Sequence, residues 1–302
     1  MDGRRLVQHG PATLMVSLPA KWLKKNDLAK GDEINVEEKG NELLLKGSAN
    51  KTKKQIEIKI TSDTESSIRA ILTNLYRLSY EKITLNYADD GILKVIEKET
   101  KSSLIGFEII KRSKGSCIIE NILEPSKDQF DNIQSKLFLN IDYLFLAING
   151  FSEGKKTEFE STESQIQSFD NFCRRMIAKG SYDDAQLWLA FHSAVYHAQR
   201  DLYYALKLIS TSKVKSNSLA TLSEEAKNIF DHLIKAIETK DFSLLEKIHK
   251  LEKEATFEKG YNLLKKCSDP NERLVLHRIL SSIRNFYSAS SPLMGLSILG
   301  AI

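Results

Sequence analysis

GPATLMVSLPAKWLKKNDLAKGDEI, residues 10–34, decides how the chain begins. Residues 6–9 and 13–18 read as two short strands around His9-Gly10-Pro11-Ala12, a turn. Pro19 suits the first turn of a helix over 20–26, because a proline there gives up no needed donor. Trp22 and Leu23 would be its apolar contacts. Lys30-Gly31-Asp32 makes a second turn. Ile34 and Val36 open a strand, Lys39-Gly40-Asn41-Glu42 reverses it, and 43–45 returns. A block of three or four short strands over 1–47 buries too little surface to stand alone. It needs a second copy of itself or another part of the chain.

Charge within this block is uneven. Residues 1–30 carry Arg4, Arg5, Lys21, Lys24, Lys25 and Lys30 against Asp2 and Asp27, whereas 31–47 carry two basic and five acidic residues. The cations therefore gather on the first strand and the first helix. In a two-fold dimer each cluster would occur twice, matching the two phosphate strands of a duplex. Arginine suits base edges, because its fork bonds guanine at two points; the lysines suit phosphates.

Two further blocks follow. Over 52–125, alternation and helical spacing give strand 55–60, helix 64–80, strand 82–87, helix 92–104 and a hairpin of 106–111 with 116–123. The order βαβαββ is a compact α+β domain without a glycine-rich phosphate loop, so no nucleotide site is expected. Residues 126–302 are helical throughout, with six helices expected near 127–149, 158–178, 183–211, 218–239, 241–267 and 270–289. Ile141-Asp142-Tyr143-Leu144 with Ala147-Ile148 recurs as Phe230-Asp231-His232-Leu233 with Ala236-Ile237, 231 − 142 = 89 residues on. Three helices per repeat make six, the pattern of two three-helix bundles in tandem.

The bulk properties exclude other classes. At 302 residues the chain is too long for one ordinary domain, and its 41% hydrophobic content supplies a large core. A net charge of only +4 means that any nucleic-acid surface must be local. Cys117, Cys173 and Cys267 form no CxxC or CxxH pair, which argues against a zinc finger or a disulfide scaffold and for a reducing, cytoplasmic setting. The start, MDGRRLVQHGP, has no apolar core of a signal peptide. The apolar stretch 292–302 is shorter than the roughly 20 residues that span a bilayer, so it should pack on the helices or a partner, without membrane insertion. No GxSxG elbow, P-loop, HExxH or Rossmann fingerprint is present, so the chain is not expected to be an enzyme.

Gly10-Pro11-Ala12-Thr13-Leu14-Met15-Val16-Ser17-Leu18-Pro19-Ala20-Lys21-Trp22, followed by Leu28-Ala29-Lys30-Gly31-Asp32-Glu33-Ile34, resembles the SpoVT/AbrB swapped-hairpin head. It looks most like the variant joined to PhoU domains in archaeal regulators, although relatives of this fold also serve as antitoxins. The resemblance implies a homodimeric head that binds DNA through basic residues of its first strand, loop and short helix. Here Arg4, Arg5, Lys21, Lys24 and Lys25 occupy such places.

The six-helix repeat is similar to the phosphate-uptake-regulator (PhoU) family. That resemblance implies partners such as a phosphate transporter or sensor kinase, and a divalent or iron-type metal ion held by carboxylates on facing helices. In the first repeat Glu163, Asp170, His197 and Asp201 stand nearest the family pattern, with a histidine replacing a glutamate. In the second, Glu252 and Glu254 remain, but Ser282-Ile283-Arg284-Asn285-Phe286 offers no carboxylate. The expected protein is multidomain: a β-rich swapped-hairpin head over 1–47, an α+β connecting domain over 52–125, and tandem three-helix bundles over 126–302. Its expected role is a DNA-binding regulator of phosphate uptake. The alternative is a PhoU-type adaptor that docks on a transporter or kinase without touching DNA.

Overall fold

The computed structural model describes residues 3–40, 42–47, 53–61, 64–123, 126–155, 157–180, 184–214, 216–300 and 302. The chain divides into two units, Met1–Lys54 and Gln55–Ile302.

In the first unit, β1 (Val7–Gln8) pairs antiparallel with β2 (Leu14–Met15), and the turn between them closes with His9 N–H donating to Thr13 O. These strands are shorter than the sequence suggests. Only Val7↔Met15 and Gln8↔Leu14 pair, so Arg4 and Arg5 precede β1 rather than lie on it. Helix α1 (Ala20–Lys25) starts from extended Pro19 and ends at Asn26, whose side-chain amide donates to Trp22 O. Gly31 then takes a φ of 99°, and the Asp32 carboxylate accepts the Ala29 N–H at 2.6 Å. A glycine at that left-handed position followed by a capping aspartate is the physical content of the Leu-x-x-Gly-Asp pattern. β3 (Ile34–Lys39) and β4 (Glu42–Gly47) form a six-pair antiparallel hairpin.

The second unit opens with β5 (Gln55–Lys59), α2 (Glu65–Arg77), β6 (Lys82–Asn86), α3 (Asp90–Ser103), β7 (Phe107–Ser113) and β8 (Ser116–Asn121). The sheet order is β5-β6-β8-β7, with β5 and β6 parallel across the α2 crossover and the other pairs antiparallel. Ile83, Leu85, Cys117 and Ile119 alternate onto one face, where Ile68, Leu72 and Tyr76 of α2 and Ile92 and Ile96 of α3 cover them.

The helical part contains α4 (Lys127–Ser152), α5 (Glu160–Ala178), α6 (Ala185–Ser212), α7 (Asn217–Thr239), α8 (Phe242–Lys253), a π-helical turn (Glu254–Gly260), α9 (Tyr261–Lys266) and α10 (Pro270–Ile298). Helices α4, α5 and α6 pack on one another, as do α7, α8 and α10; α4 meets α7, and α6 meets α10 along its length. The repeated motif explains part of this. Ile141, Leu144, Ala147 and Ile148 are buried, as are Phe230, Leu233 and Ala236. Asp142 and Asp231, at matching positions, share the ammonium of Lys227 at 2.7 and 2.8 Å.

Two expectations need correction. The fifth helix is not continuous, because a π-helical turn interrupts it. The last helix does not stop near 289 but continues through Pro292 to Ile298. Proline forfeits one helical hydrogen bond, but the continued turns bury Leu293 and Leu296, each worth about 1.5–3 kcal/mol. No helix among the described residues is long and apolar enough to cross a membrane.

The π-helical turn ends on Gly260, where α10 comes closest. A Cβ added there would stand 2.3 Å from Leu280 Cδ2 and 2.9 Å from the Ala255 carbonyl oxygen. Leu280 can rotate, but the backbone carbonyl cannot. Gly260→Ala should therefore destabilise the chain by about 1–3 kcal/mol, outweighing the ~1 kcal/mol that alanine gains over glycine in a helix. The urea midpoint measures this, and an unchanged or higher midpoint would contradict the packing.

Candidate nucleic-acid interface

Helix α1 presents Lys21, Lys24 and Lys25 at i, i+3 and i+4, one helical face, while Trp22 and Leu23 take the other and are half-buried. All three lysines are exposed, as are Arg4 and Arg5 ahead of β1. None of the five enters an ion pair among the described residues. The structure thus gathers the three lysines on one helix and the two arginines on one short segment, two separate groups. Among the described residues no acidic side chain pairs with them, which leaves their charge available to phosphates.

The same unit lacks a core. Among its described residues none is buried, and Leu6, Val7, Leu14, Met15, Val16, Val36, Leu43 and Leu44 remain 44–65% exposed. Isolated exposed leucines are ordinary, but eight large apolar side chains on two hairpins are not. Residues 8–55 match the family described as antidote-toxin recognition MazE, bacterial antitoxin. No curated protein and no solved structure matches the chain. The N-terminal unit is therefore MazE/AbrB-like, and a head of this type fits a DNA-binding regulator. The match stops near residue 55 and leaves the helical part outside it.

The residues that resemblance nominated for a metal do not meet. Asp170 is buried in α5, where Arg174 Nε donates to its Oδ2 at 2.7 Å, Arg77 approaches at 3.4 Å and His192 Nδ1 lies 3.4 Å from Oδ1. Asp201 is held on α6 by Arg278 at 2.9 Å, Ser281 at 2.6 Å and Asn285 at 3.1 Å. Glu163 accepts from Gln167 in the next turn of α5, and His197 stands exposed beside the Tyr196 ring. Glu252, in the second repeat, pairs with Arg284 at 2.9 Å and accepts from Thr256. Among the described residues no three His, Cys, Asp or Glu side chains converge on a metal position. A cation would have to displace the arginines that already neutralise Asp170, Asp201 and Glu252, so the donor set does not fit the metal that the resemblance implied.

What the sequence missed is the use of these groups as a joint. Asn171 accepts from Arg77 Nε at 2.8 Å and donates to Ser103 O at 3.0 Å, tying α5 to α2 and to the end of α3. Burial opposes ionisation of Asp170, but Arg174 beside it, then His192 and Arg77, hold its carboxyl below the usual carboxylate range. Full burial pushes His192 down from its ordinary value, against the pull of Asp170.

Two outcomes follow. The apolar hairpins should assemble the full chain into a dimer, and Leu14→Lys should shift its light-scattering mass toward that of one chain. A wild type that runs as a monomer at every concentration would contradict this. The folded state keeps His192 neutral where the unfolded chain protonates it, so stability should fall as pH drops below about 6.5, by up to ~1.4 kcal/mol per pH unit from this group. His192→Gln should flatten that slope in denaturant titrations; an equal slope would mean that His192 takes up its proton inside the fold.

Proposed function

We propose that the chain is a DNA-binding transcriptional regulator rather than an enzyme. Its head dimerises and grips operator DNA, and its helical part reports phosphate status through a transporter or sensor protein. The observation that carries this reading is the pairing, within one small unit, of five exposed unpaired cations with two hairpins that bury nothing. A second copy supplies the missing core and doubles the cationic surface by symmetry, the geometry in which two half-sites of a duplex are read. The match over residues 8–55 supports the head's assignment. The phosphate reading rests on the resemblance of the helical part to PhoU: six long helices in two sets of three, with a repeat 89 residues apart.

Genome-wide DNA co-precipitation in high and low phosphate tests both parts. Enrichment upstream of transporter genes that changes with phosphate is expected. On an enriched fragment, Arg4→Ala or Lys24→Ala should weaken binding and lower the slope of log affinity against log salt by up to roughly 0.9 each. Enrichment nowhere, with no fragment shifted at low salt, would replace this reading with the adaptor that does not touch DNA.

A further inference from the structure

Across α5, α6 and α10 runs a ladder of alternating guanidinium groups and phenol rings. Arg174 lies 5.8 Å from the centre of the Tyr196 ring, and Arg200 lies 5.7 Å from the same ring. Arg200 is 5.3 Å from the Tyr204 ring, and Arg278 is again 5.3 Å from Tyr204. Tyr196, Arg200 and Tyr204 are spaced i, i+4, i+8 on α6, so the helix itself stacks them on one face. Each cation–ring contact is worth about 0.5–2 kcal/mol, and together they hold the three arginines in fixed positions.

The two ends of the ladder are neutralised and its centre is not. Arg174 bonds Asp170, and Arg278 bonds Asp201. Arg200 is half-buried and has no carboxylate partner among the described residues. Its N–H groups donate to the Tyr196 hydroxyl at 3.1 Å and the Tyr204 hydroxyl at 2.5 Å. A guanidinium has five N–H donors, so three are left over. Burial works against its charge, yet the two phenol oxygens hold its pKa above the ordinary value. A cation partly withdrawn from water without a counter-ion is costly, and one preorganised by two phenols is ready to accept an anion.

We propose that this ladder is a binding site for a dianionic oxyanion of the phosphate type, with Arg200 as its anchor. The charge balance sets the class. Arg77, which shares Asp170 with Arg174, joins Arg174, Arg200 and Arg278, and among the described residues Asp170 and Asp201 are the carboxylates bonded to them. Two positive charges remain, the complement of hydrogen phosphate or a phosphate monoester, and the planar fork matches tetrahedral oxygens. The ring faces are flanked by arginines, which leaves charge rather than base stacking to hold the ligand. The inference deepens the reading of the helical part as the reporting region, and it owes nothing to the head.

Isothermal calorimetry on the full chain at about pH 8, with ionic strength matched by potassium chloride, tests it with inorganic phosphate and then with adenosine monophosphate. Wild type should bind at least one of them, and the tighter of the two identifies the source of the oxyanion. Arg200→Met should bind roughly tenfold or more weakly. Arg200→Lys, which keeps the charge and loses the fork, should bind several-fold more weakly and serves as the readout if the methionine variant fails to fold. Wild type that binds neither probe overturns the proposal, as does equal affinity in wild type and the folded variants. Salt-dependent DNA binding by the head is measured separately, so a failure here leaves that reading standing, and a head that ignores DNA leaves this site standing.

Discussion

The second unit depends on the polar face of α5. Arg175 is 1% exposed, yet it is a full cation in the heart of the molecule. It donates to the carbonyls of Tyr76 and Tyr80 and to Glu81, and its guanidinium lies 4.9 and 4.7 Å from the rings of Tyr76 and Phe107. Glu81 also takes Lys179 and Asn121. A buried pair of this kind adds little compared with a well-packed apolar substitute, but leaving one partner alone costs about 3–5 kcal/mol. Each partner therefore dictates the place of the other. One turn earlier, Asp170 and Asn171 do the same with Arg77 and Ser103. The α+β block and the helices are thereby one compact unit, although their hydrophobic clusters are separate.

This joint explains what could and could not be read along the chain. Periodicity is local, so it gave the order βαβαββ and placed helices through 126–302, but it ran straight through the π-helical turn and ended the last helix 298 − 289 = 9 residues early. It also marked Ile141, Leu144, Phe230 and Leu233 as one repeated buried face. The role of Asp170 is not local. Its partner Arg77 is 93 residues away, and Glu81 is 94 residues from Arg175. A carboxylate beside a histidine on neighbouring helices reads as a metal site until the arginines that reach it from other elements are placed. The π-helical turn escaped as well: a side chain at Gly260 would meet the Ala255 carbonyl and Leu280 of α10, and nothing in the residues around 260 announces the second of these. The last helix was ended too early near 289, because the burial of Leu293 and Leu296 that carries it past Pro292 depends on neighbours distant in sequence.

Charge is used in two ways in this chain, and the modest net value of +4 conceals the difference. In the helical unit, Arg69, Arg77, Arg174, Arg175, Arg278 and Arg284 each bond a carboxylate, several of them deeply buried. Arg174 and Arg175, the most buried of them, fix packing and are the least screened by salt. In the head, Arg4, Arg5 and the α1 lysines stand in solvent with no ion-pair partner among the described residues, where screening over about 10 Å at moderate salt governs anything they attract. Composition cannot separate these populations. Position relative to acidic residues can: six of the head's cations lie in residues 1–30 and five of its acids in 31–47, whereas the helical unit's cations are interleaved with theirs.

The head's lack of buried side chains links assembly to recognition. The helical unit carries its own core and can hold its shape at any concentration. The MazE-like unit gains apolar burial only against another surface, so under the proposed reading its folding and its dimerisation are one equilibrium. The stability of such a unit rises with protomer concentration and with any ligand that binds the assembled form alone. Under that reading duplex DNA would be such a ligand, because paired heads would offer two cationic faces at fixed spacing. Occupancy of an operator would then rise more steeply than first order in chain concentration, without any conformational signal from the helices.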